Sequence, residues 1–220
     1  MITPNFFQRL VRRRAVAIFT LTAAIAVSLA PSRLIATARA DDPMGVVKTT
    51  VNQALDVLRD TSTPLAQRQD KLRQIVATTF DFTEMAKSAL GYHWKQITPA
   101  QQQEFTTAFV AFIEDSYLSK INEYRGQQVS FLKSTSDGPQ YAQVSTDIIE
   151  PDGKDTIHVN YRLLQSGDTW KIYDVTVDAI SIIANYRNQF NRVMNNSGYD
   201  TLISDLKSKQ AALAASLANH

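Results

Sequence analysis

Three histidines, at positions 93, 158 and 220, are the only imidazoles in this chain of 220 residues, and it has no cysteine. Thiol nucleophiles, thiolate metal sites and disulfides are therefore excluded. No HExxH, GxSxG, P-loop or GxGxxG pattern occurs. His158 falls on the polar side of an alternating segment, which predicts a solvated imidazole. His93 follows Gly91 beside Trp94 and reads as a loop or helix-end residue. Glu150, Asp152 and Asp155 gather around Gly153 and suggest calcium only loosely, because the remaining ligands of an EF-hand loop are missing. A hairpin turn explains them better, so no metal ligands are assigned. Asp174 is the carboxylate of most interest. It lies among Trp170, Ile172, Tyr173 and Val175, and a buried carboxylate needs partners or a raised pKa. One reading makes it a general base near Tyr161 in a cone-shaped pocket. The other makes it the partner of a backbone amide, Arg162 or Arg187, joining sheet to helix. We take the second, since ion pairing alone often perturbs such groups, and we assign no catalytic residue.

The segment that carries Asp174 runs from Gly167 to Asp178 and reads as one strand. Strict alternation sends Trp170, Ile172 and Asp174 one way and Tyr173, Val175 and Val177 the other. Apolar groups on both faces predict a strand covered on both sides. Three earlier strands are expected at 128–135, 141–149 and 156–165, with the last at 169–177. Asp137-Gly138, Asp152-Gly153 and Ser166-Gly167-Asp168 supply the turns of an antiparallel meander.

Helices precede and follow this sheet. The first is expected at 43–60, with Val47, Val51, Ala54, Leu55 and Leu58 on one stripe. Thr63-Pro64 restarts the chain into a second helix, with Thr63 as N-cap. Asp81 is placed to cap a third, with Glu84 three residues on, Phe80 packing on Met85, and Gly91 at its end. Thr98-Pro99-Ala100-Gln101 opens a fourth, expected to run to about residue 124. It carries Phe105, Phe109, Phe112, Ile113, Tyr117, Ile121 and Tyr124 on a stripe broader than a helix–helix seam requires. Two more are expected at 180–195 and 200–217, parted by Asn196-Ser197-Gly198. About six helices around four strands, in the order helices, strands, helices, define an α+β fold.

The first forty residues read as a secretory signal peptide. Arg9, Arg12, Arg13 and Arg14 form its basic region, residues 15–30 its apolar region, and Ala38-Arg39-Ala40 its cleavage site, after Ala40. Sec export to the periplasm is the expectation, and without cysteine there is no lipobox. Beyond residue 40 lie all 21 acids and 17 of the 23 bases, so the net charge changes from +2 to −4. Nucleic acid is a poor partner for such a chain. Residues 41–220 suit a single domain held by packing alone.

Several of these segments resemble the MlaC family, also called the toluene-tolerance family. They are Phe80-Asp81-Phe82-Thr83-Glu84-Met85-Ala86 with Leu90-Gly91 and Trp94, Thr98-Pro99-Ala100-Gln101-Gln102-Gln103-Glu104-Phe105, Tyr124-Arg125-Gly126, and Trp170-Lys171-Ile172-Tyr173-Asp174-Val175 through Ile180-Ser181 to Asn185-Tyr186-Arg187-Asn188-Gln189-Phe190. The resemblance implies a periplasmic carrier with a cystatin-like sheet and a lipid cavity between sheet and helices. Its cargo would be phospholipid, with no cofactor. Its partners would be an inner-membrane MCE-domain/ABC transporter complex and an outer-membrane lipoprotein complex. The family offers no catalytic residues, so the expected lipid contacts follow from the apolar faces: Phe82, Met85, Phe105, Phe109, Phe112, Ile113, Tyr117, Val144, Val159, Tyr161, Trp170, Ile172, Val175 and Ile180. The expected pocket lies between the fourth helix and the sheet, with the headgroup solvated near Lys95 or Arg187. A hopanoid-associated branch of the family shares this outline. The rival classes are an enzyme on a cone-like α+β fold, needing Asp174, Tyr161 or His93 in one pocket, and a periplasmic adaptor that binds protein alone.

Overall fold

The computed structural model describes residues 42–118 and 120–218. The expected signal peptide lies outside the described residues. Helix α1 is Pro43–Arg59, and Asp42 caps it by accepting from the Gly45 N–H at 2.7 Å. Helix α2 is Leu65–Thr79. Pro64, not Thr63, is its N-cap; the Thr63 hydroxyl instead donates to Asp60 Oδ2 at 2.5 Å. The Ser62 and Thr63 hydroxyls hold the Asp60 carboxyl down to about 2.

Helix α3 is Phe82–Leu90, and Asp81 accepts from the Glu84 N–H at 2.9 Å, as its spacing predicts. Gly91 ends it at φ 58°, a left-handed conformation that favours glycine. A 3₁₀ turn, Gly91–Gln96, leads on to α4, Pro99–Leu118. Thr98 and Gln101 form the reciprocal capping pair at its start. Helix α4 stops at Leu118, before the expected end at 124, and the chain tightens into a second 3₁₀ turn, Ile121–Glu123.

The sheet has five strands rather than four: β1 Gln128–Ser136, β2 Tyr141–Ile149, β3 Thr156–Ser166, β4 Thr169–Val177 and β5 Ile180–Ser181, in that spatial order and all antiparallel. Asp178 and Ala179 take positive φ of 43° and 67°. That tight reversal brings Ile180–Ser181 back beside Thr176 and Val177. Ile180 therefore sits in a strand, is 40% exposed, and does not face the interior. Helix α5, Ile182–Ala218, closes the fold. It breaks at Gly198, whose φ of 79° and ψ of −177° are non-helical. Its two limbs match the two expected helices, so among the described residues five α-helices and two 3₁₀ turns stand where about six helices are predicted.

Two β-bulges set the faces of the sheet. Leu132 is the extra residue in β1, between Phe131 opposite Thr146 and Lys133 opposite Ser145, and it is 55% exposed. In β4 the extra residue is Tyr173, because Arg162 stands opposite Asp174 while Leu163 stands opposite Ile172. One added residue exchanges the faces beyond it. Ile172 and Val175, opposed under strict alternation, thus pack in one cluster with Val144, Leu163, Tyr161 and Trp170. Asp174 leaves the Trp170 face and turns towards α5.

Candidate functional site: an apolar interior beside the sheet

Asp174 is buried, and its carboxylate accepts from the Ser181 hydroxyl at 2.7 Å and the Ile183 N–H at 3.2 Å. Ser181 Oγ in turn accepts from the Ala184 N–H at 2.9 Å. Together they satisfy the open amides that begin α5. The reading of Asp174 as a backbone-amide partner holds; neither arginine takes that role. His93 is buried between Gln96 Oε1 and Asn191 Oδ1, each at 2.9 Å. Tyr161 is on the opposite sheet face from Asp174. The groups an enzyme would need together are engaged in three separate places. His158 is exposed and pairs with Asp147 at 2.6 Å, a hydrogen bond that raises its pKa. Glu150 and Asp155 close the hairpin by a backbone bond of 3.0 Å. Among the described residues, no group of three acidic or histidine side chains is placed to hold a metal.

The apolar residues form three clusters, where a domain of this size ordinarily has one contiguous core. In the first, Phe105, Phe109, Phe112 and Ile113 of α4 meet Met85 of α3 and Tyr186, Phe190, Leu202 and Leu206 from both limbs of α5. Phe105 and Phe109 each meet Phe190 edge-on at 5.6 Å, and Phe112 meets Tyr186 at the same distance. The broad aromatic stripe of α4 is broad because it serves two helical limbs and α3. These rings have no surface left to offer a ligand. Burial pushes the Tyr186 phenol up to about 12.

The second cluster lies between the sheet and the first half of α1. Val144, Leu163 and Ile172 bury against Val47, with Met44, Val46, Val51, Phe80, Phe131, Tyr161, Trp170 and Val175 half-buried around them. Val159 is buried on the same face. The third joins Ala54, Val57 and Leu58 of α1 to Leu65, Leu72 and Ile75 of α2, with Leu118 and Ile121. Helix α1 links these two clusters, yet Val47 is its only buried residue among those described. Most of its apolar stripe is covered without being sealed.

Tyr161 and Tyr117 sharpen this picture. Burial raises the phenol pKa of both, at Tyr161 against the Thr146 hydroxyl and at Tyr117 near Tyr186 and Asp174. Both residues nevertheless retain accessible surface. Each thus pairs a buried hydroxyl with a side chain that keeps some exposure. Phe82 is half-buried against the helical core. The expected contacts thus divide: Val144, Val159, Tyr161, Trp170, Ile172 and Val175 come together on one sheet face, while Met85, Phe105, Phe109, Phe112 and Ile113 seal the helices. Arg187 donates to the Ser88 carbonyl near the end of α3. At the far end of α1 an open cleft of about 580 Å³ has Leu58 and Ile121 in its wall. Sequence reasoning passes over that cleft, because its residues come from three separate segments that meet only in the fold.

Over residues 48–208 the sequence matches the family described as MlaC protein. The chain belongs to the MlaC family. Among relatives, it is 27% identical over 169 residues to toluene tolerance protein ttg2D of Pseudomonas putida, covering 74% of this chain and 78% of that protein. It is 23% identical over 121 residues to the intermembrane phospholipid transport system binding protein MlaC of Haemophilus influenzae, covering 54% of this chain and 56% of that protein. The fold is shared with the phospholipid-binding protein from Ralstonia solanacearum, solved in complex with a phospholipid. The TM-score is 0.71 at 24% identity, over 79% of this chain and 99% of that one. The MlaC-family stretch includes the Asp174 cap, both bulges and all of the sheet. Among the described residues, no helix is long and apolar enough to cross a membrane.

Proposed function

We propose that this MlaC-family protein is a periplasmic carrier that holds a phospholipid with its acyl chains in the interior beside the sheet and its headgroup in water. The observation that carries the reading is the sheet face of Tyr161, Trp170 and Val175. It is deep, apolar and incompletely covered by α1. The fold shared with a protein solved in complex with a phospholipid supports it. The lining we propose is Val144, Val159, Tyr161, Trp170, Ile172 and Val175 of the sheet, with Val51 of α1 and Phe80. Phe105, Phe109 and Phe112 form the wall behind.

Burial of about 30 methylenes at ~0.8 kcal/mol each is worth roughly 25 kcal/mol gross. Ordering the chains and the protein offsets much of this. A membrane offers the same burial, so a carrier works by nearly matching it, and transfer can then run either way. The shuttle reading continues from there: lipid passes between an inner-membrane MCE-domain/ABC transporter complex and an outer-membrane lipoprotein complex. The name of the Haemophilus influenzae relative, an intermembrane phospholipid transport system binding protein, supports it, as does the expected export signal. Native mass spectrometry with lipid extraction tests the carriage itself. Protein purified from cells should hold phospholipid near one molecule per chain. A folded protein that is empty would refute the proposal.

A further inference from the structure

The cleft at the far end of α1 has an apolar floor and a cationic wall. Leu58 and Ile121 belong to the third apolar cluster, while Arg59, Arg68 and Arg125 also line the cleft and no carboxylate does. Arg68 is half-buried in the first turn of α2. Its Nε–H is buried and has no hydrogen-bond partner among the described residues. The Arg68 guanidinium brings its positive charge to the cleft wall beside Arg59 and Arg125. Arg59 donates Nε–H to the Tyr124 hydroxyl at 3.3 Å, and its Nη1 lies 3.7 Å from Asp56 Oδ1. That exposed pair with Asp56 is of little worth and can yield to a ligand. Guanidinium groups bind phosphate through paired N–H donors, and do so best where water is partly excluded. About 580 Å³ is within the range of small-ligand pockets.

We infer that Arg59, Arg68 and Arg125 bind the phosphate group of the carried lipid, with the glycerol end over Leu58 and Ile121. The inference rests on the carrier reading and deepens it. It places the headgroup at the junction of α1, α2 and the α4–β1 connection. The shared chemistry is a phosphate anion, and the apolar floor selects a lipid as its source over free phosphate. It also gives the carrier a selectivity: a lipid without phosphate fits the interior but leaves the three guanidinium groups without an anion.

The test is a competition. Lipid-stripped protein is incubated with vesicles holding equal amounts of phosphatidylglycerol and diacylglycerol of the same chains, and bound lipid is extracted and counted. Wild type should favour phosphatidylglycerol by about tenfold, the scale of one charge-assisted hydrogen bond. The exposed-site variant R59A/R125A should bring the ratio close to one, with diacylglycerol uptake and unfolding midpoint unchanged. Arg68→Gln, which retains length and a donor, should lower the ratio part-way. A ratio unmoved in both variants overturns the assignment. So does equal uptake of the two lipids by wild type, which leaves carriage standing. Uptake of neither lipid overturns carriage and the assignment together. Calorimetry with inorganic phosphate separates the sources: binding that R59A/R125A abolishes while the lipid ratio persists would reassign the cleft to free phosphate and overturn the lipid proposal.

Discussion

Asp174 shows how a carboxylate can look catalytic in sequence and be structural in the fold. Its oxygens satisfy the Ser181 hydroxyl and the Ile183 amide at the start of α5. Asp174→Ala strands a buried N–H and should cost about 1–3 kcal/mol in urea denaturation. Asp174→Asn retains an acceptor and should cost less, with lipid occupancy intact in both. The need for a buried partner is legible from the apolar neighbours of Asp174. Which amide it meets is not, because that depends on the reversal at Asp178 and Ala179, where no glycine announces positive φ. His158 offers a pH test. Its hydrogen bond to Asp147 raises its folded pKa, so the stability it contributes is full below the ordinary histidine value. That contribution is lost as pH rises from there through the raised folded value. NMR titration should show the raised pKa, and Asp147→Asn should return it towards the ordinary value.

At the scale of elements, starts and stops are the legible part. Asp81 and the Thr98/Gln101 pair cap the helices their spacing predicts, because caps and turns are local chemistry. The bulges are not legible. Nothing in Ile172-Tyr173-Asp174 marks an added residue, and the slip exists only relative to β3. Face assignments made by strict alternation therefore reverse halfway along β4. The shorter α4 has a similar cause: the chain tightens into a 3₁₀ turn after Leu118, ahead of the glycine at 126. Gly198 can be tested directly. Its φ and ψ lie where only glycine is comfortable, so Gly198→Ala should cost about 1–3 kcal/mol and lower the thermal midpoint. The loss would come through the two limbs of α5 that grip the aromatic row of α4.

For the whole molecule, the α+β order and the meander follow from turn spacing. The interior does not, since half-burial is a property of how α1 lies on the sheet. The arginine cleft is equally hidden, with residues from 58 to 128 meeting only in the fold. In the proposed division of labour, a sealed aromatic block from α3, α4 and α5 supplies rigidity, and a loosely covered sheet face supplies room. Filling that room should separate binding from folding. Val51→Trp with Val175→Trp should lower bound phospholipid several-fold while leaving a cooperative unfolding transition, measured by native mass spectrometry and thermal denaturation together. The most direct test of where the tails lie is photo-crosslinking with a phospholipid that carries a diazirine in its acyl chain. The account predicts crosslinks within residues 44–58 of α1 and residues 159–175 of β3 and β4. Crosslinks confined to α5, or none in a folded, lipid-loaded protein, would contradict it.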